Sequence, residues 1–243
     1  MTRVLITGSA DGLGRAAAES LLDDGHEVIV HARSVERLTA VGHLISRGAA
    51  SVVGDLADFR AVRALADRVN ELGAVDAVIH NAGVLDGPSL LPVNVVAPYV
   101  LSASIVGPRR HIYLSSGMHR GGRADVAAAD WSGAKKTLSY SDSKLLVTVL
   151  MAAVARRRPE IIAHAVDPGW VPTKMGGASA PDDLFLGHVT QTWLATSSDA
   201  EVLASGRYWH HQRVQSAHPA VHDEQFQDEL LAALAEHTGV VLE

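Results

Sequence analysis

The strongest constraint on this chain lies at its start. The short apolar run Val4-Leu5-Ile6 leads directly into Thr7-Gly8-Ser9-Ala10-Asp11-Gly12-Leu13-Gly14, and a helical stretch then continues to Gly25. An apolar run without polar alternation predicts a strand buried on both faces. A glycine-rich turn between strand and helix lets the backbone approach a pyrophosphate closely. The helix N-terminus behind it supplies free N–H groups and the positive end of its dipole. The same glycines would equally serve a purely structural turn, since φ > 0 favours glycine in any setting.

The alternation repeats along the first half. Glu27 to Ala32 predicts a second strand, Ser34 the N-cap of a helix to about Arg47, and Ala50 to Gly54 a third strand. A helix from Asp58 to Leu72 carries Val62, Leu65, Val69 and Leu72 on one face, and Val75 to His80 predicts a fourth strand. Strands separated by helices of this length predict an α/β fold with a doubly wound parallel sheet. A chain of 243 residues, 47% hydrophobic, can bury one large core, and no linker, repeat or low-complexity tract divides it. We therefore expect a single domain over residues 1–243. Gly54-Asp55-Leu56 and Asn81-Ala82-Gly83 stand at strand ends, where ligands bind in open α/β sheets. Ordinary turn chemistry explains them as well.

The net charge of −6 argues against a nucleic-acid partner, and Arg156-Arg157-Arg158 reads as a helix end. Cysteine is absent, which excludes disulfides and thiolate metal sites. His210, His211, His218 and His222 fit no familiar zinc spacing, so no metal is expected. The chain runs straight into its first strand with no signal peptide, and its longest nearly apolar run, Leu145 to Ala155, is too short to span a bilayer. The expectation is a cytoplasmic protein with no membrane partner.

Tyr140 and Lys144 stand four residues apart, so on a helix they share one face. An ammonium beside a phenol favours the phenolate, and the pair predicts a tyrosine whose pKa lies below its ordinary value. Such a tyrosine can give a proton to a carbonyl oxygen or take one from an alcohol. Alone, the pair is also compatible with a plain surface helix.

In combination these residues resemble the short-chain dehydrogenase/reductase family. The marks are Thr7-Gly8-x-x-x-Gly12-x-Gly14, Asp55, Asn81-Ala82-Gly83, Asn94, Ser116, Tyr140-x-x-x-Lys144 and Pro168-Gly169-Trp170-Val171-Pro172-Thr173, all in the family's order. The resemblance implies a Rossmann dinucleotide fold and hydride transfer between a nicotinamide cofactor and a carbonyl or secondary alcohol of a small molecule. It implies that the turn from Gly8 and Ser9 through Asp11, Gly12, Leu13 and Gly14 holds the pyrophosphate. Asp55 and Leu56 would border the adenine, and Asn81, Ala82 and Gly83 would line the cleft. Tyr140 would be the acid or base, and Lys144 would lower its pKa and bind the ribose. Ser116 would orient the substrate oxygen. Asn94 would hold a water linking Lys144 to solvent. Pro168, Gly169, Val171 and Thr173 would contact the carboxamide. NAD-preferring relatives carry an acid near Ala32; here Arg33 follows it and suits a 2′-phosphate, so NADP is expected with NAD as the alternative. Asp11 argues the other way, standing where NADP-preferring relatives often carry a base.

Three stretches depart from the family pattern. The gap from Gly83 to Asn94 is short. The gap from Ser116 to Tyr140 is long, as in retinol-dehydrogenase-like and carbonyl-reductase-like members. There His119 reads as a surface residue sooner than a substrate contact, and Trp131 as packing. In the tail, Gly206 to Trp209 reads as the last strand, and the helix around Phe226, Leu230 and Leu234 as packing on the sheet edge. Met175 to Trp193 would cover an apolar or amphipathic substrate, or pack on its own domain. The stretch Leu145 to Ala155 is apolar nearly all round and needs cover on both sides; with the helix near Asn94 it predicts a homodimer. A catalytically silent NAD(P)-sensing protein of the same fold is the second functional reading.

Overall fold

The computed structural model describes residues 1–242. Strands β1 (Arg3–Ile6), β2 (Glu27–Ala32), β3 (Ala50–Val53), β4 (Ala77–His80), β5 (Arg110–Leu114), β6 (Ile162–Asp167), β7 (Arg207–His210) and β8 (Arg213–Gln215) form one sheet in the order β3-β2-β1-β4-β5-β6-β7-β8. All pairs are parallel except β7 with β8. The order reverses at β1, whose carboxyl end therefore opens onto a crevice between the β1 and β4 crossovers.

Helices cover both faces. The chain supplies α1 (Gly12–Asp23), α2 (Val35–Leu38), α3 (Gly42–Ser46), α4 (Phe59–Glu71), α5 (Ala97–Ser104), α6 (Tyr140–Arg157), α7 (Leu184–Thr196), α8 (Ala200–Leu203) and α9 (Glu224–Thr238). One core packs α4, α5, α6 and α9 through Val62, Leu65, Tyr99, Leu146, Val149 and Leu230. The other packs α1, α3, α7 and α8 through Ala17, Leu21, Leu44, Leu194 and Val202. The apolar runs of β1 and β4 are buried on both sides, as their lack of alternation requires.

Four expectations change. The helix expected from Ser34 to Arg47 is broken into α2, a 3₁₀ turn and α3. Val41 leaves helical dihedrals (φ −122°, ψ 19°) and is wholly buried, and Ser34 makes no side-chain cap bond. Asn94 lies in a π-helical turn, Pro92–Val96, that runs on into α5. The chain does not end its sheet at β7, because His211 and Gln212 (φ 47° and 58°) turn it back into β8. Two left-handed residues match the twist of a tight hairpin, but neither is the Asn or Gly that advertises one. The Gln212 N–H donates to Thr190 Oγ1 at 3.0 Å and holds the turn.

The fourth change concerns the two helices assigned to a dimer contact. Residues Asp142 to Val154 of α6 are all buried within one chain. The cover comes from α9 and the 3₁₀ turn Pro219–His222, so α9 packs on α6 and not on the sheet edge. Arg156 donates to Gln227 Oε1 at 2.7 Å and pairs with Asp228, which fastens the two helices together. On α5, Tyr99 donates its hydroxyl proton to the Val240 carbonyl at 2.6 Å. The faces that seemed to need a second subunit are covered by the chain's own tail.

Candidate active site

Gly8 and Gly12 adopt positive φ (66° and 51°), which lets the chain turn sharply between β1 and α1. At Gly14 the reason for glycine is space. A Cβ there would lie 2.4 Å from Asn81 Nδ2 and 2.6 Å from the Gly8 carbonyl oxygen. Asn81 uses that close approach to donate to the carbonyls of Thr7 (2.9 Å) and Gly8 (3.3 Å), and the Ala82 N–H donates to Thr7 Oγ1 (3.1 Å). Asp11 caps α1, its Oδ1 accepting from the Gly12 N–H at 2.9 Å.

Over this turn lies a cleft of about 610 Å³. It runs from His31, Arg33 and Arg37 beyond β2, past Gly12 and Asn81, to Tyr140 and Lys144 at the start of α6. Its volume is in the range of small-molecule sites. A turn with glycine at Gly8, Gly12 and Gly14, a helix N-terminus behind it and cations on the rim are the donor set that a phosphate-bearing dinucleotide requires. The cradle fits the cofactor.

At the far end, Ser139 and Asp142 close a capping box: Ser139 Oγ accepts from the Asp142 N–H (3.2 Å) and Asp142 Oδ2 from the Ser139 N–H (2.8 Å). The box fixes where α6 begins, and so places Tyr140 on its first turn with Lys144 one turn on. Lys144 Nζ lies 5.5 Å from the Tyr140 ring centroid and donates to the Leu114 carbonyl at 2.7 Å. Ser116 Oγ accepts from the Met118 N–H at 3.2 Å, and the hydroxyl lies near enough to temper the Tyr140 phenol.

The expectation that Lys144 lowers the Tyr140 pKa is corrected here. Burial pushes the phenol up to about 12; Ser116 opposes the rise and the Asp167 carboxylate adds to it. Burial also brings the Lys144 ammonium down to about 8. The ammonium stands over the ring and bonds to a backbone carbonyl, so its charge is not directed at the phenol oxygen.

Other expected residues divide into two groups. Gly8, Asp11, Gly12, Leu13, Arg33, Asp55, Leu56, Asn81, Ala82, Gly83, Tyr140, Lys144, Pro168 and Thr173 line the cleft. Ser9, Gly14, Ser116, Gly169 and Val171 do not, and Ser115 takes the place in the lining beside Ser116. Ser9 is buried and donates to the Ile6 carbonyl (3.0 Å). Gly169, at φ 82°, faces Asp182, and Val171 is buried against Gly187. Asn94 and Lys144 both have side chains beside Gly83, but Asn94 makes no direct hydrogen bond to Lys144. Its Oδ1 accepts from the Val84 N–H (2.9 Å), and its Nδ2 donates to the Val84 carbonyl and Ser143 Oγ (both 3.0 Å). Both amide protons are thus engaged, and the residue ties the loop after β4 to α6.

His119 is not at the surface. It is wholly buried, with its ring 4.4 Å from that of Tyr208. Nδ1 must donate to the Ser116 carbonyl (2.7 Å), because Nε2 accepts from the His218 N–H (3.1 Å). It braces the backbone of Ser116 against the tail. Trp131 is buried in the α6-side core, as a packing residue should be.

Sequence reasoning missed Arg37 and Lys174, which also line the cleft. Asp11 Oδ2 pairs with Arg37 at 3.3 Å and with Lys174, and the Lys174 contact leads in holding the Asp11 carboxyl below its ordinary range. The acid that argued against NADP is thus occupied by two cations. Arg37 was legible as the next basic residue one turn after Arg33; nothing local pointed to Lys174.

Fold and cleft together define a dinucleotide-binding protein with a tyrosine, a lysine and a serine converging beside the cofactor crevice. The model of the short chain dehydrogenase family matches residues 2–105. An uncharacterized oxidoreductase of Emericella nidulans is 36% identical over 255 residues, spanning 99% of this chain and 98% of its own. The short-chain dehydrogenase chyC of Penicillium rubens is 36% identical over 256 residues, 100% of this chain and 99% of its own. The chain belongs to the short-chain dehydrogenase/reductase family and is an oxidoreductase. Among solved structures, an uncharacterized protein from Mycobacterium Paratuberculosis superposes with a TM-score of 0.79 at 22% identity, covering 100% of this chain and 95% of that one. A short chain dehydrogenase from Shigella flexneri complexed with NADP gives 0.70 at 23% identity, covering 87% and 97%. Both likenesses show the shared fold. Among the described residues no helix is long and apolar enough to cross a membrane.

Proposed function

We propose that this protein is an NADP(H)-preferring oxidoreductase that interconverts a carbonyl and a secondary alcohol on a small molecule, with Tyr140 as general acid/base. The observation that carries the reading is that Tyr140 and Lys144 stand at one end of a cleft whose other end carries Arg33 and Arg37, with the Ser116 hydroxyl acting on the Tyr140 phenol from beside it. Bound in this cleft, the cofactor supplies the hydride. The chain's own residues do the rest. At neutral pH the Tyr140 phenol holds its proton, the form that donates to a carbonyl oxygen as negative charge develops there. Ser116 orients that oxygen and shares its charge. Lys144, charged below about pH 8, would bind ribose hydroxyls from its position in the same cleft. Arg33 and Arg37 suit a 2′-phosphate, and a planar guanidinium recognises it in two-pronged fashion.

Met175 lines the cleft, and Trp170, Phe185 and Leu186 are exposed on the segments that follow Pro168; these apolar side chains suit an apolar or amphipathic substrate. With α5 and α6 covered by the tail, these two helices leave no bare apolar face for the expected homodimer contact, and the protein acts in the cytoplasm. A panel of ketones, aldehydes and secondary alcohols, followed by absorbance of the reduced nicotinamide, tests the reaction class. Tyr140→Phe should then lose turnover by about 10²-fold or more while still binding cofactor. Near-wild-type turnover in that variant would refute the assignment.

A further inference from the structure

His31, the last residue but one of β2, lies at the floor of the cleft, 2% exposed, outside the motif residues that carry the family resemblance. Its Nδ1 lies 2.9 Å from the Gly8 nitrogen and its Nε2 2.8 Å from the Gly54 carbonyl oxygen. A backbone N–H can only donate and a carbonyl can only accept. The ring is therefore neutral, with its single proton on Nε2. The backbone of the same residue is locked as well: its N–H donates to Ser9 Oγ (2.7 Å), and its carbonyl accepts from the Ser9 N–H (3.1 Å). One imidazole thus spans two loops from different strands. On one side is the glycine turn, and on the other the loop that continues into Asp55 and Leu56.

We propose that His31 is a positioning residue for the cofactor: it holds the pyrophosphate turn at Gly8 and the adenine wall beyond Gly54 at one fixed spacing. This rests on reading the cleft as the dinucleotide site. Protonation would break the arrangement, since Nδ1–H would then face the Gly8 N–H. Burial lowers the His31 pKa, and the bond to the Gly54 carbonyl and then Asp55, on the loop after β3, oppose it. The glycine turn presents only backbone to the ring, while Asp11, Arg33 and Arg37 line the same cleft. The clamp is therefore intact at neutral pH and lost in acid, below the ordinary histidine range.

The test is NADP⁺ affinity, read by tryptophan quenching or calorimetry on the intact protein, with no substrate needed. His31→Leu fills the space and orphans the Gly8 N–H and the Gly54 carbonyl; dissociation constants should rise by about tenfold. His31→Asn places an amide oxygen near Nδ1 and should recover most of the affinity, even if the leucine variant folds poorly. Wild type should lose affinity in acid more steeply than His31→Asn, in which nothing at this position titrates. NAD⁺ is measured in parallel, because the turn and wall serve both dinucleotides and the expected ratios are the same. A preference for NAD⁺ would refute the NADP reading and leave the His31 ratios to stand. Wild-type affinity in His31→Leu, or the same acid loss in wild type and His31→Asn, would overturn the proposal. Binding of neither dinucleotide by wild type would overturn it together with the cleft assignment.

Discussion

Lys144→Met should change how stability depends on pH, and by a calculable amount. In the folded protein Lys144 is buried beside Leu114, and its pKa falls from 10.5 to about 8. The difference is about 2.5 units, and at about 1.4 kcal/mol per unit the buried ammonium destabilises the fold by about 3 kcal/mol at pH 7. Between pH 8 and 10.5 the unfolded chain still holds this proton while the folded one has released it. Stability therefore rises with pH across that window, and the penalty is gone above it. Methionine matches the length without the charge but leaves the Leu114 carbonyl unpaired, at about 1–3 kcal/mol. The net gain at pH 7 is small for that reason; the slope is the sharper readout. Urea unfolding of both proteins, followed by tryptophan fluorescence from pH 7 to 10.5, should show wild type gaining about 3 kcal/mol on the variant. Parallel pH profiles would refute a buried, charged Lys144. The variant should also lose turnover, the usual exchange of stability for a strained functional group.

Gly14→Ala should cost about 1–3 kcal/mol of stability and weaken cofactor binding, because the new methyl meets the Gly8 carbonyl and the Asn81 amide; calorimetry on the variant checks both. Replacing Arg33 and Arg37 together by alanine should lower kcat/KM for NADP well below its effect on NAD, and an equal loss with both would remove these residues from the 2′-phosphate site. Light scattering at micromolar concentration should give the mass of one chain, since α9 and the tail cover α5 and α6; a two-chain mass would require another contact. His119→Leu should lower turnover more than cofactor affinity, because its bond is to Ser116 and not to the cradle.

How much was legible depended on the range of the interaction that decides each feature. The buried strands and most helix starts follow from neighbours in sequence: Val4 to Ile6 have no polar alternation, and Asp58 caps its own helix through the Arg60 and Ala61 N–H groups. The glycine turn and the Tyr140–Lys144 pair are local motifs, so their residues could be named in advance. The break between α2 and α3 was not legible, because it follows from Val41 being drawn into a core formed by α1. The hairpin into β8 was hidden because its left-handed residues are His211 and Gln212, held by contacts outside the turn.

Spacing within a few residues carries the alternation of strand and helix from β1 to β4, the glycine turn and the face shared by Tyr140 and Lys144, and these could be read without a structure. Only the tertiary structure decided what surrounds them. Whether Tyr140 keeps its proton depends on burial, on Ser116 after β5 and on Asp167 at the end of β6. Whether Asp11 repels a phosphate depends on Arg37 and Lys174, which arrive from α2 and from the loop after β6. Whether α6 needs a second subunit depends on α9, some seventy residues further along the chain. Charge, solvation and cover are sums over groups brought together by folding, and contacts between residues far apart in the chain leave no periodicity along it.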